Sequence, residues 1–516
     1  MSPKIDDVAA CNGRSNDRKR TFDEFDTDSE ENNKNRLPAT KKTTSLPSEV
    51  IHFDSINKKL LDFDFEKVCS ISLAIINVYC CLTCGRFFQG KSKNSFAYKH
   101  SVDNATHKLF INLQNGKVFC LPENFEVDPQ RKNDLLNDIR NLISPKYSKD
   151  QLQSQLYDPS NCVAFDLVNR NQYKIGFLGL SIINNNSRNN FQSVILQLIA
   201  HLPKIRDWYL IQTSANDGID VFNNKDLKFS KNYELNIKLG LFMRKYWFDK
   251  LFKTQISPFD LLNYINKMSN GVFLNNNLDN NDPKFFLNWL LNNLNLGLKK
   301  SKQGNILVNN VQGKIEVEEV DEEKHSRKST ITKFWQLTLN LPDKKVLSSS
   351  GANDSTKIEQ ISLNQLLISK FKVPTIVNNS VYKNYKLKSL PNYLVLNFDR
   401  FNKNFRHNFN DIVIKYDIDS LDLTSYLPPE KTKDKKYEYK LIINIVHNSI
   451  NSKNDESTIA PDSNSLFDAN NHTWKAQMLD QITNEWYEID NLQVKKINKR
   501  LIFLDESYVQ VYQRVR

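Results

Sequence analysis

The chain has 516 residues, a formal net charge of +12, 39% hydrophobic content and seven cysteines, none of them beyond Cys162. At about 100–200 residues per domain this length accommodates two to four units, and 11% aromatic content supplies genuine cores, so collagen-like, wholly disordered and small disulfide-scaffold classes are excluded. An odd number of cysteines crowded into the first third argues against a secreted disulfide framework and for metal in a reducing compartment.

No apolar run reaches the about 18 residues that a membrane helix needs, and Met1–Val8 leads into polar sequence rather than a signal-peptide core, so a soluble intracellular protein is expected, with no membrane partner. Residues 1–48 mix dense charge with Asn and Ser and offer little to bury, the composition of a disordered tail. Arg18, Lys19 and Arg20, with Lys41 and Lys42 further on, read equally as a nuclear-import signal or as a solvated charge run. From 49 to 130 the composition becomes globular: LLDFDFEKVCSISL is followed by a Cys and His cluster and by HKLFINLQNGKVFC. There Leu109, Ile111 and Leu113 alternate and Asn115-Gly116 predicts a type I′ hairpin turn, giving a small α+β module.

A connector over 131–172, helical from roughly 133 to 156, leads to a large unit over 173–516. Phe191, Val194, Ile195, Leu198, Ile199 and Leu202 recur at helical spacing from a start near Asn190, with His201 on the polar face. Asp282-Pro283, a capping residue with Pro in the first turn, opens a second helix that turns Phe286, Trp289, Leu290 and Leu294 inward. Strands follow: FWQLTLNLP, YLVLNF, YKLIINIVH, TWKAQML, NEWYEI and YVQVY. Polar stretches near 300–330, 343–357 and 449–470 read as surface insertions. The fold class is therefore α+β.

Cys81 and Cys84 are separated by two residues, His100 follows after fifteen more and His107 after another six. A Cys-x-x-Cys knuckle supplies two thiolates from one tight turn, and two suitably spaced imidazoles close a tetrahedral zinc shell. With no open position the metal is expected to be structural, one ion contributing on the order of 10 kcal/mol or more to folding. Cys69, Cys80 and Cys120 have no complete ligand set and read as core thiols.

CLTCG, AYKHS and THKLFINL resemble the zinc finger of ubiquitin carboxyl-terminal hydrolases, the ZnF-UBP domain. Members of that family hold up to three zinc ions, and the resemblance preserves only the site of Cys81, Cys84, His100 and His107. A second would fall on Cys69, Ser72, Gln89 and Phe96, and a third near Val50, His52, Cys120 and Glu123, both incomplete. These losses count against capture of a free ubiquitin C-terminus.

Residues 173–516 resemble the papain-like catalytic domain of ubiquitin-specific proteases. RNNFQSVILQ looks like the nucleophile box, NNDPKFFLNWLLNNL like the Gln-Gln-Asp box, LPNYLVLNFDRF like the strand ending in Arg-Phe, and HTWKAQMLDQITNEWYEIDNLQV like the histidine box. The resemblance places Asn190 at the nucleophile, Thr473 at the general base, Asp490 at the orienting carboxylate and Asn185 at the oxyanion donor. An amide cannot form an acyl-enzyme, and its expected role is to cap the following helix. His472 is one residue early, which in a strand reverses the face. Cys162, 28 residues before Asn190, would have to enter the cleft from outside, and His447 reads as a strand-end residue.

A degenerate ZnF-UBP finger ahead of a protease domain lacking its nucleophile is similar to the snRNP-assembly-defective family of tri-snRNP splicing factors. The resemblance implies a nuclear, non-enzymatic scaffold for pre-mRNA splicing, partnered by tri-snRNP proteins. The alternative is an active deubiquitinase with relocated residues. RNA contact through the finger is the weakest reading, because the finger lacks an arginine-rich or stacking-aromatic motif.

Overall fold

A five-stranded antiparallel sheet organises the cysteine-rich part of the chain. In this computed structural model the described residues are 53–127, 134–181, 190–212, 230–273, 282–299, 304–342, 360–378, 380–401, 410–433, 435–449 and 472–515. The tail 1–48 with its charge run at Arg18–Arg20, Val50, His52, Asn185, and the polar stretches 343–357 and 450–470 lie outside them.

Strands β1 (Val78–Cys81), β2 (Phe87–Gln89), β3 (Leu109–Asn112), β4 (Val118–Cys120) and β5 (Phe125–Glu126) lie in the order β2-β1-β3-β4-β5, with helix α1 (Phe96–Asp103) between β2 and β3. Tyr79, Cys81, Phe88, Ala97, Phe110, Phe119 and Leu121 form their core. The β3–β4 turn differs from the type I′ expectation. Of Asn115 and Gly116 only Gly116 has positive φ, at 71°, whereas type I′ needs both. Asn112 decides the geometry, its Oδ1 accepting from the Gln114 and Asn115 N–H groups while its carbonyl accepts from Gly116. All four β3 residues are buried, because β3 is a central strand.

Helices α2 (Asp134–Ile143) and α3 (Lys149–Leu156), the hairpin β6 (Val163–Phe165) and β7 (Gln172–Lys174), and β8 (Gly179–Leu180) lead into a helical layer. That layer holds α4 (Asn190–Ala200), α5 (Pro203–Gln212), α6 (Lys231–Tyr246), β9 (Gln255–Ile256), α7 (Phe259–Met268), α8 (Pro283–Leu298) and α9 (Ile306–Val311). Asp282 caps α8 through the Lys284 N–H at 2.8 Å, as its sequence predicts. Gly297 lets α8 approach α6, since a Cβ there would lie 2.3 Å from the Asn232 carbonyl oxygen.

Next come β10 (Gly313–Asp321), β11 (Ser326–Phe334), β12 (Leu337–Asn340), β13 (Gln360–Ser362), α10 (Leu363–Phe371), β14 (Thr375–Ile376), β15 (Val381–Ser389) and β16 (Tyr393–Asp399). The chain closes with β17 (Val413–Lys415), β18 (Leu421–Asp422), α11 (Pro429–Thr432), β19 (Glu438–Ser449), β20 (His472–Asp480), β21 (Glu485–Asp490), β22 (Gln493–Ile497) and β23 (Ser507–Arg514). The main sheet runs β12-β16-β23-β19-β20-β21-β22, with β18 beside β19, and packs against the helices around one large apolar core. The described part of the stretch 300–330 holds α9, β10 and the start of β11; β11 is exposed along nearly its whole length, and both strands belong to a separate β11-β10-β15-β14 sheet. Acidic β10 sits between basic neighbours, with Glu316, Glu318 and Glu319 paired to Lys388, Lys386 and Lys383. Charge complementarity across strands holds this sheet where apolar alternation is weak.

The strap 61–67 ties the finger to the larger domain. Its sequence alternates apolar and acidic side chains. Phe63 is buried and stacks on Phe87 of the finger, while Asp62, Asp64 and Glu66 pair with Lys253, Lys245 and Lys267. Lys245 also donates to the Phe63 carbonyl at 2.7 Å, and Asp64 accepts from the Ser257 N–H at 3.0 Å.

Candidate functional site

Cys81 ends β1, Cys84 follows on the turn, His100 lies on α1 and His107 precedes β3, so the finger's sheet and helix deliver four side chains to one point. Their ligand atoms lie within 4.8 Å of one another. Cys81 Sγ is 3.6 Å from His107 Nδ1 and Cys84 Sγ is 3.5 Å from His100 Nε2. These edges match the about 3.5 Å of a tetrahedron built from Zn–S of about 2.3 Å and Zn–N of about 2.0–2.1 Å. His100 Nε2 and His107 Nδ1, 2.8 Å apart, lie somewhat closer than the about 3.3 Å of that tetrahedron. The hydrogen bond shared by the two thiols holds the Cys84 sulfur well below the ordinary thiol range and pushes Cys81 up. The His100 ring is fixed by stacking on Phe88 at 4.3 Å and by Asn104, whose Nδ2 approaches its Nδ1 at 3.4 Å. The donor set and its spacing fit zinc.

At the second potential metal position the structure has hydrogen bonds instead. Cys69 Sγ accepts from the Ser72 and Gln89 N–H groups at 3.4 and 3.2 Å, and Ser72 Oγ donates to Gln89 Oε1 at 2.9 Å. Three of the four positions therefore still converge, satisfied by one another. At the third, Cys120 Sγ approaches Glu123 Oε2 at 3.6 Å. Cys69, Cys80 and Cys120 are all buried.

Asn190, Thr473 and Asp490 come together where α4 meets β20 and β21. Asn190 is the first residue of α4, 1% exposed. Contrary to the capping expectation, its amide is spent on β20: Nδ2 donates to the Trp474 carbonyl at 2.8 Å, and the Trp474 N–H donates to Oδ1 at 3.1 Å. The cause is the length of β21. Its pairing to β20 ends at Ala476↔Ile489, so the Trp474 peptide lacks a partner strand on that side, and a side-chain amide, chemically a peptide group, replaces one. Thr473 Oγ1 donates to the Asn448 carbonyl. Asp490 lies 3.7 Å from Lys475 Nζ and accepts from Asn491. Each of the three is committed to a neighbour, and none faces a thiol or an imidazole among the described residues; the His472 side chain is outside them.

Cys162 Sγ lies 3.7 Å from the Asp158 carbonyl oxygen, and burial, then the nearby Asp480 charge, push its pKa up. Asp480 and Thr473 stand toward opposite ends of β20, about 23 Å apart at about 3.3 Å per residue. His447 is buried, its Nδ1 within hydrogen-bond distance of Glu506 Oε2 at 2.9 Å. His201 departs from its predicted polar face. It is buried against Phe177, Trp247 and Tyr246, Nδ1 bonds the Gln197 carbonyl at 2.8 Å, and burial holds its pKa down to about 4. Helix α4 is buried on all sides, which apolar spacing alone could not reveal.

Sequence comparison gives this geometry a context. Residues 68–132 match the Zn-finger in ubiquitin-hydrolases and other proteins, and residues 182–512 match the ubiquitin carboxyl-terminal hydrolase family. The chain belongs to the ubiquitin carboxyl-terminal hydrolase family. Within that family it is 30% identical over 484 residues to the Saccharomyces cerevisiae pre-mRNA-splicing factor SAD1, covering 92% of this chain and 96% of that protein. It is 29% identical to the Schizosaccharomyces pombe probable mRNA-splicing protein ubp10, over 92% of this chain and 90% of that one. Against human ubiquitin carboxyl-terminal hydrolase 39 it is 31% identical over 90% and 79% of the two chains. A crystal structure of an essential yeast splicing factor superposes with a TM-score of 0.68 at 28% identity, covering 90% of this chain and 99% of that chain. As a hydrolase-family member the chain thus carries a ZnF-UBP domain whose Cys and His cluster is compatible with zinc, ahead of a hydrolase-like α+β domain. The inter-domain strap was missed from sequence, although its period-two alternation of Leu, Phe and acidic residues was the available signal.

Proposed function

We propose that this chain is a non-enzymatic pre-mRNA splicing factor: a nuclear scaffold that supports assembly or maintenance of the tri-snRNP and binds its protein components. Relatives matched over nearly their whole length carry splicing names, which supports the process. The single observation that supports the absence of catalysis is the Asn190 amide occupying the helix start and bonding the Trp474 peptide. A cysteine protease needs a thiolate there with an imidazole within reach, and here the place of one is taken by an amide and of the other by Thr473. One structural zinc is assigned to Cys81, Cys84, His100 and His107. The finger over 49–130, the connector over 131–172 and the domain over 173–516 then form a protein-binding platform.

Two experiments test this. The full chain incubated with a ubiquitin suicide probe is expected to form no adduct; an adduct lost in Cys162→Ala would establish the alternative of an active deubiquitinase. Depletion from nuclear extract is expected to lower the tri-snRNP peak in a glycerol gradient, and added recombinant chain is expected to restore it. An unchanged gradient would remove the splicing role.

A further inference from the structure

The segment between Cys69 and β1 exposes four large aliphatic side chains within six residues: Ile71 at 58%, Leu73 at 75%, Ile75 at 69% and Ile76 at 63%. Loops of soluble proteins rarely concentrate apolar surface in this way without a partner. Nor is the segment loosely held. The Cys69 N–H donates to the Ala74 carbonyl at 2.9 Å, the Leu73 N–H to the Cys69 carbonyl at 3.1 Å, the Ser70 N–H to the Phe87 carbonyl at 2.8 Å, and the Gly90 N–H to the Asn77 carbonyl at 2.8 Å. The Cys69 sulfur and the Ser72–Gln89 bond fasten it again from below. Leu73 sits at φ +59°, a left-handed conformation that a leucine seldom adopts, and its side chain points to solvent when simple folding would have hidden it.

The chain bonded to this segment, from Phe87 to Gly90, is flanked in sequence by bases: between Glu66 and Asp103 stand Arg86, Lys91, Lys93 and Lys99, with no Asp or Glu among them. Exposed aliphatic side chains with bases flanking them complement an apolar groove rimmed by carboxylates. Aliphatic side chains offer nothing for bases to stack on, so the chemistry favours protein over RNA.

We propose that the Ile71–Ile76 knuckle is a preformed docking element that inserts into an apolar, acid-rimmed groove on a protein of the spliceosomal particle. Its rigidity serves binding, because a loop already held in its bound shape loses little freedom on association. Cys69, Ser72 and Gln89 hold the knuckle by hydrogen bonds.

This inference rests on the scaffold reading above, and one experiment separates the two. The full chain and the triple variant Leu73→Ser, Ile75→Ser, Ile76→Ser are each sedimented with purified tri-snRNP. A second preparation carries the photo-crosslinker p-benzoylphenylalanine at position 73. The triple variant is expected to keep its zinc content and melting temperature, since the changed side chains are exposed, while its binding falls at least tenfold. The crosslink is expected on a protein of the particle, at a site with Asp or Glu beside apolar residues. Wild-type binding by a normally folded triple variant overturns the knuckle proposal alone. So does a crosslink to RNA or to residues 1–52 of the same chain, or a variant whose only loss is flotation with phosphatidylserine vesicles. If neither protein sediments with the particle, the scaffold reading fails and the knuckle proposal falls with it.

Discussion

The side chain of Asn190 and the peptide of Trp474 pair as two peptide groups would, each donating one hydrogen bond and accepting one. Both residues are 2% exposed or less. Truncation leaves a buried N–H and a buried carbonyl unpaired, at about 1–3 kcal/mol each, so Asn190→Ala is expected to lower stability by about 2–6 kcal/mol. Urea unfolding measures this, and a change below about 0.5 kcal/mol would mean water replaces the amide easily.

Asn190→Cys tests the chemistry at the same position. A thiol there gains a helix N-terminus, while the neighbouring position on β20 holds Thr473, whose hydroxyl donates to the Asn448 carbonyl, in place of an imidazole. Ubiquitin suicide-probe labelling is expected to stay at background in Asn190→Cys. Labelling at protease-like rates in that single variant would show that another base, such as His447, reaches the site.

The strap makes a separate prediction. Asp64 and Lys245 have side chains 11% and 8% exposed, and removing one partner of a buried pair costs about 3–5 kcal/mol. Lys245→Ala is expected to destabilise by at least about 3 kcal/mol and to speed amide exchange selectively over 61–67, because the Phe63 carbonyl loses its donor as well. Uniform loss of protection across the chain, with the strap no faster than the rest, would argue against a local clasp.

Much of this architecture was legible from residue types, and the exceptions share a cause. Cys81, Cys84, His100 and His107 stood out because metal chemistry restricts both ligand type and spacing, and the Asp282–Pro283 helix start because capping is local. Asn190 looked like a helix cap from its neighbours alone, whereas its bonds run to a strand nearly three hundred residues later. His201 looked exposed because helical periodicity describes one buried face, and α4 has no exposed one. The charged β10–β11 hairpin was not legible as strands because cross-strand ion pairs, unlike apolar alternation, leave no periodic trace within either strand. What the sequence withholds in each case is a partner distant along the chain.

Zinc stoichiometry follows from the hydrogen bonds at Cys69. With Ser72 and Gln89 satisfying that sulfur and each other, elemental analysis is expected to find one zinc per chain, lost in Cys84→Ser. Chelation is expected to unfold the finger, on the order of 10 kcal/mol being invested in such a site. Two ions per chain would mean that the Cys69–Ser72–Gln89 network yields to metal.

His201 sets a pH dependence. Burial holds its pKa down to about 4 against an ordinary value of 6.5, so above about pH 6.5 the folded and unfolded chains both carry it neutral and it contributes full stability. As pH falls below that value the unfolded chain takes up the proton first, and stability declines until the folded pKa near 4 is passed. At about 1.4 kcal/mol per tenfold difference in proton affinity, the loss is about 3 kcal/mol between pH 6.5 and 4. Arg206 opposes protonation of the ring while Asp480 favours it, and Phe177, Tyr246 and Trp247 offer the imidazolium no strong acceptor. Unfolding free energy measured across that range is expected to flatten in His201→Leu relative to wild type. If the two slopes coincide, the acid sensitivity belongs to paired carboxylates such as Asp480 with Lys174, whose contribution is lost at lower pH as the depressed Asp480 pKa is passed.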